Sequence, residues 1–302
     1  MLSPIRLHKS LLIFSLAIMI AAAAGASIEN SAHRSLLTSS YRDYGYLIDQ
    51  LVLDGFDRTY LQSIFRDPRV RFLPNVLLIN LISKYIVADY SRFTSRQSVR
   101  NARQFLAQES TFLSKVEKRF EVDKEVIVSI LFIESAFGKR TGTNTVFNVF
   151  STLSLASRPE IHKVMAEQIA AAYPQITTED IEKRARRKSK WAYHELKTLL
   201  TLTRQESIDV LQVKGSWAGA FGIAQFLPSS YMKFALDGNN DRKVRLHNRY
   251  DAIVSVANYL KENGWRKDLP DPQQRMIIRK YNNSSAYSDT VLELSRMIRG
   301  QG

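Results

Sequence analysis

The feature that most constrains this chain is an apolar run broken by a single carboxylate: VIVSILFIESAFG, residues 126–138, with Glu134 near its end. Asp123 suits an N-cap and Gly138 a C-terminal stop, so the run is predicted as a helix over 124–137. On such a helix Ile130, Leu131, Phe137 and Gly138 stand three and four positions from Glu134. None is basic, so the local sequence offers no ion-pair partner. A carboxylate on so apolar a helix is costly to keep ionised, and burial raises its pKa. A carboxyl kept protonated near neutral pH is the arrangement of a general acid in glycoside cleavage. The alternative is a Glu paired with an Arg or Lys that the fold brings from elsewhere.

The rest of the chain reads as helices. Twelve Gly in 302 residues argue against a turn-dense all-β fold, and 45% hydrophobic content excludes disorder for most of the chain. A Ser/Thr-x-x-Gln capping box at 94–97 opens a run with apolar residues at Val99, Ala102, Leu106, Leu113, Val116 and Phe120. Further helices are predicted at 46–53, 60–65, 161–172, 181–202, 231–236, 251–263, 273–281 and 290–298. Residues 69–81 carry β-branched side chains, but Pro74 interrupts them as a strand. The expected fold class is all-α, or mainly α.

The N-terminus narrows the setting. Arg6 and Lys9 precede an apolar run over 11–20, and Ala24-Gly25-Ala26 fits a small-x-small cleavage site, so residues 1–26 are expected to be a secretory signal. An uncleaved anchor is the alternative, although 11–26 is short of the ~20 residues that span a bilayer. The chain holds 43 Lys and Arg against 29 Asp and Glu, a formal charge of +14, and prefers polyanionic surroundings. For an exported protein that polyanion is an envelope polymer and not nucleic acid. Zero Cys excludes disulfides, thiol nucleophiles, iron–sulfur clusters, Cys-ligated zinc and a lipoprotein anchor. The expected location is the periplasm, as a soluble form or one held by the N-terminal segment at the inner membrane.

Four further segments carry chemical possibilities. GSWAGAFGIAQFLPSSY at 215–231 packs small residues between aromatics. It suits either a sugar cleft lined by Trp217, Phe221, Phe226 and Tyr231, with Ser216 and Gln225 as polar groups, or a tight helix crossing. DGNNDRKVRLHNRYD at 237–251 places Asp237, Asn239 and Asp241 at positions 1, 3 and 5 of a calcium loop, and Asp251 adds a later carboxylate. Arg242 stands where such loops need Gly, and three bases crowd the site, so an Asx-rich turn is the alternative. Tyr281-Asn282-Asn283 with Tyr287 suits a sugar site or a helix C-cap. EKRARRKSK at 182–190 is a polyanion contact or a solvated helical face. Zinc-protease, nucleophile-elbow and phosphate-loop patterns are absent.

Taken together, these segments resemble the lytic transglycosylases of the membrane-bound lytic transglycosylase B type. The resemblance covers about 92–294, with an apparent insertion near 158–190. It rests on Glu134-Ser135-Ala136-Phe137-Gly138, on 215–231 almost whole, on Ala257-Asn258-Tyr259-Leu260 with Gly264-Trp265, and on Tyr281-Asn282. It implies a lysozyme-like catalytic domain over 93–302 with additional helices, after an N-terminal helical region over 27–92. It also implies peptidoglycan as substrate and nonhydrolytic cleavage of the MurNAc-β-1,4-GlcNAc bond to a 1,6-anhydro end. Glu134 matches the single acid/base, Ser216 an orienting residue, and Phe221, Gln225, Tyr259, Tyr281 and Asn282 the substrate cleft. No cofactor is implied, though a structural calcium at the 237–251 loop has a counterpart in some members. Expected partners are glycan strands and envelope-machinery proteins. The alternatives are a hydrolytic muramidase and a noncatalytic peptidoglycan-binding scaffold.

Overall fold

The computed structural model describes residues 44–86 and 88–300. The expected signal segment lies outside them. Thirteen α-helices, three short 3₁₀ helices and one pair of two-residue strands are the regular elements of the described residues, so the fold is mainly α as expected. The chain divides into two compact units, one formed by residues up to Val87 with Thr143–Gly219, the other by Ala88–Gly142 with Ala220–Gly302.

The first unit holds α1 (Gly45–Leu53), α2 (Arg58–Phe65), α3 (Pro74–Ile82), α7 (Val146–Ser154), α8 (Pro159–Ala172) and α9 (Thr178–Gln205). Strands β1 (Asn144–Thr145) and β2 (Lys214–Gly215) pair antiparallel at its edge. The nine residues of α7 are all buried, and α9 packs along them. Pro74 opens α3 rather than breaking a strand, because a proline at the first helical position gives up only an N–H that has no helical partner. The segment expected as an insertion, 158–190, is α8 with the first half of α9. It packs with the N-terminal helices, so the chain returns to this unit instead of passing it once near residue 92.

In EKRARRKSK, Arg186 pairs with Glu182. Arg184 donates to the Asn80 carbonyl at 3.0 Å and to Ser83 Oγ at 2.7 Å. The Lys188 ammonium lies 4.3 Å from the Trp191 ring centroid. The run is therefore partly a packing face and not wholly solvated.

The second unit holds α4 (Arg96–Gln108), α5 (Ser110–Phe120), α6 (Lys124–Ser135), α10 (Pro228–Phe234), α11 (Arg249–Glu262), α12 (Asp271–Tyr281) and α13 (Ser285–Arg299). The apolar helix α6 is covered by α13, α11, α4 and α5. Ten of its twelve residues are buried, as its composition requires. The cap of α4 is Ser95, which accepts the Ser98 N–H at 3.3 Å, and not Thr94, whose hydroxyl donates to the Ser91 carbonyl. The run over 99–120 is two helices, broken at Glu109. Asp123 precedes α6 without capping it, because its carboxylate takes Arg299 at 2.8 Å and the Trp265 indole at 3.2 Å. Among the described residues no helix is long and apolar enough to cross a membrane.

Candidate active site

Helix α6 ends two residues earlier than predicted. Ala136, Phe137 and Gly138 take φ of 50°, 59° and 92°, three left-handed residues in succession. Only the third is favourable for its residue type, so the turn is strained where it follows Glu134. Two contacts hold it. The Phe137 ring stacks on Phe105 at 3.9 Å and 2°. The Ser135 hydroxyl donates to the Ile223 carbonyl at 2.7 Å and accepts the Gly138 N–H at 2.9 Å.

Glu134 therefore sits in the last turn of α6, deep in the protein but with some solvent access. Burial pushes its pKa up to about 7, and a hydrogen bond from Tyr287 opposes the rise. The Tyr287 hydroxyl donates to Glu134 Oε1 at 2.6 Å, from a ring that is 1% exposed. Helix α13 fixes that ring: Ser284 caps the helix by accepting the Tyr287 N–H at 3.2 Å. Among the described residues no Arg or Lys pairs with Glu134; its hydrogen-bond partner is Tyr287. Near neutral pH such a carboxyl is split between its acid and its conjugate base, the condition for giving and then taking a proton.

Aromatic groups surround this pair. Tyr90 meets Tyr287 edge-on at 5.9 Å and Phe93 at 6.1 Å. Tyr281 donates its hydroxyl to the Ala224 carbonyl. Its ring meets Tyr259 at 4.8 Å and Phe226 at 5.8 Å. Burial and the Glu134 charge keep Tyr281 and Tyr287 well above the ordinary tyrosine pKa, so both remain hydrogen-bond donors.

Phe221 and Phe226 form an isolated antiparallel bridge that closes a tight turn through Gly222 and Gln225, with φ of 74° and 50°. Gln225 donates from Nε2 to the Gly222 carbonyl at 2.9 Å and to the Thr141 carbonyl at 3.1 Å. Phe221 stacks on Tyr231 at 5.8 Å.

The second unit thus brings Glu134, Tyr287 and Tyr281 together, with Tyr259 one ring away from Tyr281 and Asn282 at the end of the helix that carries Tyr281. Ser216 belongs to the first unit, where it follows β2 and its hydroxyl accepts the Ala218 N–H at 3.3 Å. Tyr90 is not among the residues that the sequence pattern points to, and Tyr287 enters there only beside the Tyr281-Asn282 pair. Both are carried in by folding from far along the chain.

Replacing Tyr287 by Phe removes the one interaction that favours the Glu134 carboxylate. The Glu134 pKa then rises further, and the alkaline limb of a pH–rate profile should move up by about one unit. A limb that stays in place or moves down would contradict the hydrogen bond.

In the calcium-like loop the carboxylates accept backbone N–H groups. Asp237 accepts the N–H groups of Asn239, Asn240 and Arg242 at 3.2, 2.7 and 2.7 Å. Asp251, 1% exposed, accepts those of Gly238 and Arg245 at 2.9 and 2.7 Å. Asp241 accepts the Lys243 N–H at 2.8 Å and the Arg245 guanidinium at 2.7 Å. Asn248 caps α11. These bonds are those of the Asx-rich turn that is the alternative to a calcium loop, and among the described residues no group of three or more His, Asp or Glu is placed to share a metal. Millimolar calcium should accordingly leave the melting temperature unchanged against a chelator control. A rise of about 5 °C would show that the loop opens to bind it, since binding to the folded state alone is stabilising.

Membrane-bound lytic murein transglycosylase B of Escherichia coli (strain K12) is 30% identical over 240 residues, covering 73% of this chain and 56% of that protein. The chain thus spans little more than half the length of that relative. The E. coli lytic transglycosylase Slt35 in complex with bulgecin A superposes with a TM-score of 0.67 at 24% identity, covering 89% of this chain and 98% of that one. SltB3 from Pseudomonas aeruginosa in complex with NAG-anhNAM-pentapeptide gives 0.66 at 22%, covering 86% and 79%. These likenesses show the fold, that of the lysozyme-like lytic transglycosylases. The transglycosylase SLT domain family matches residues 45–276, and the chain belongs to that family.

Proposed function

We propose that this protein is a peptidoglycan lytic transglycosylase with Glu134 as its single acid/base. The observation that carries this reading is one deeply set carboxyl, raised to about 7 by burial and held by Tyr287, with no second carboxylate among the described residues shifting its ionisation. A hydrolase of the two-carboxylate kind needs its partner acid close by. The E. coli relative and the muropeptide-bound P. aeruginosa structure are named for this substrate and support the assignment.

In the reaction, protonated Glu134 gives its proton to the oxygen between MurNAc and GlcNAc, and the bond from that oxygen to C1 breaks. The substrate's acetamido group shields the cation left at C1. The Glu134 carboxylate then takes the proton of the C6 hydroxyl, whose oxygen closes on C1. Glu134 ends protonated, no water is consumed, and the product end is 1,6-anhydroMurNAc. Tyr287 stabilises the carboxylate between the two proton transfers and fixes its direction. Tyr259 and Tyr281 give ring faces for sugars, Phe221 a cleft wall, and Gln225 and Asn282 polar contacts. No cofactor enters these steps. The setting is the periplasmic side of the envelope, where other envelope-machinery proteins are the further partners.

Purified sacculi digested with the protein should release anhydromuropeptides, identified by mass spectrometry. Reducing muramic acid ends would support the hydrolytic muramidase instead. Sacculus binding without product at any pH would favour a noncatalytic wall-binding protein.

A further inference from the structure

The basic run 182–190 of α9 takes no part in those proton transfers. Arg184, Arg187, Lys188 and Trp191 stand three and four positions apart along the helix and line one cavity of about 310 Å³. Arg187 is exposed and the other three are half-buried, so the cavity opens to solvent. Packing fixes two of its sides. The Arg184 guanidinium is held at the end of α3 by its bonds to the Asn80 carbonyl and Ser83 Oγ, at 3.0 and 2.7 Å. The Trp191 ring rests edge-on against the buried Phe150 of α7 at 5.7 Å, and the Lys188 ammonium lies 4.3 Å from the Trp191 centroid.

Among the described residues no acid lines this cavity. Asp180 and Glu182, at the start of the run, pair with Lys84 and Arg186 instead. Burial, and then the Arg184 charge, lower Lys188 to about 8, so it is still protonated at neutral pH and gains from an anion beside it. Three cations without a counter-charge exceed what one carboxylate balances. A phosphate group answers them better, since its oxygens accept from the Arg fork and the Lys ammonium together.

The surroundings of the cavity favour a phosphate at a bilayer surface. Lys183 and Lys190 are exposed and stand four and three positions from Arg187 on the outer face of α9. Asp54 ties the end of α1 to the same helix, accepting the Tyr193 hydroxyl at 2.8 Å and pairing with Lys197 at 3.0 Å. That puts Leu53, 80% exposed, beside α9. The cations attract an anionic leaflet, a half-exposed tryptophan suits the headgroup layer, and an exposed leucine suits the apolar boundary beneath it.

We propose that the α9 cavity binds the phosphate of an anionic lipid headgroup and docks the first unit on a membrane surface. The docking does not depend on the lyase chemistry, since the cavity shares no residue with the Glu134 site.

The full chain is sedimented with phosphatidylglycerol vesicles, and with phosphatidylcholine vesicles as the control. It should bind the phosphatidylglycerol vesicles about tenfold more tightly or better. Arg187→Gln with Lys188→Gln removes two cations from the cavity and should weaken that binding about 30-fold. Arg242→Gln with Lys243→Gln removes the same charge from an exposed loop of the other unit and should leave it unchanged. Equal losses in the two double variants, or equal binding of the wild type to both vesicles, would overturn the proposal. If the cavity double variant does not fold, Arg187→Gln alone, at an exposed position, should weaken binding about fivefold. Tryptophan emission should shift to the blue on phosphatidylglycerol vesicles, and Trp191→Phe should abolish the shift. A shift that persists in that variant would put another face on the lipid and overturn the site. Calorimetry with glycerol phosphate separates the two sources of the group. Binding of glycerol phosphate without binding of vesicles would assign the cavity to a soluble phosphate and overturn the membrane docking.

Discussion

Glu134→Gln should lose about 10³-fold in anhydromuropeptide release and, at pH 8, melt at a higher temperature than the wild type. In the proposed mechanism the loss follows from removing the group that gives and takes the proton, a contribution of about 10²–10⁴ in rate. The stability gain follows from the same environment. Burial raises Glu134 from 4.5 to about 7 in the folded chain. Between those values the folded chain holds a proton that the unfolded chain releases. Stability therefore falls as pH rises across this window, and the loss is complete above it. The shift corresponds to roughly 3 kcal/mol at pH 8.

Gln keeps the shape and an acceptor for the Tyr287 hydroxyl without the ionisation. Calorimetry should therefore show a gain of about 6–12 °C at pH 8 and none at pH 4. Wild-type activity should decline as pH rises through about 7, as the acid form is lost. Retained anhydro product in the variant would remove Glu134 from the mechanism. Equal melting temperatures at pH 8 would mean that burial does not hold it protonated.

How much of this is legible in the sequence differs from residue to residue. Glu134 stands out because its helix is apolar on every side, and that pattern also foretells the buried α6. The end of α6 falls two residues short of the predicted one, since nothing in Ala136 or Phe137 announces a left-handed backbone. Tertiary contacts impose it, chiefly the Phe105 stack and the Ser135 bond to Ile223. Helix α3 is obscured because Pro74 reads as a strand breaker when its position makes it a helix opener.

Tyr90 has no local signature. It stands 44 residues before Glu134, and only packing against α13 gives it meaning. The calcium expectation comes from spacing alone. Spacing does not report that backbone N–H groups and Arg245 already occupy the carboxylates.

Gly222→Ala tests whether the turn below the site depends on close backbone approach. A Cβ at Gly222 would lie 2.3 Å from Leu246 Cβ and 2.9 Å from its carbonyl, at a φ of +74°. The backbone conformation costs about 1 kcal/mol for a residue with a side chain, and relieving the clash about 1–3 kcal/mol more. A fall of about 6–12 °C in melting temperature is expected for a loss near 3 kcal/mol. Gly264→Ala is the control, because its φ is +101° and a Cβ there meets nothing within 4 Å. It should lose only the backbone share, about a third as much.

The effect should also reach catalysis. Ile223 donates its N–H to the Leu246 carbonyl at 2.7 Å, and its own carbonyl accepts from Ser135, the residue after Glu134. Any shift that frees Gly222 from Leu246 moves this link. kcat should therefore fall in Gly222→Ala and not in Gly264→Ala, measured well below either melting temperature. Equal melting losses in the two variants would show that strain, and not the approach to Leu246, is what Gly222 is there to avoid.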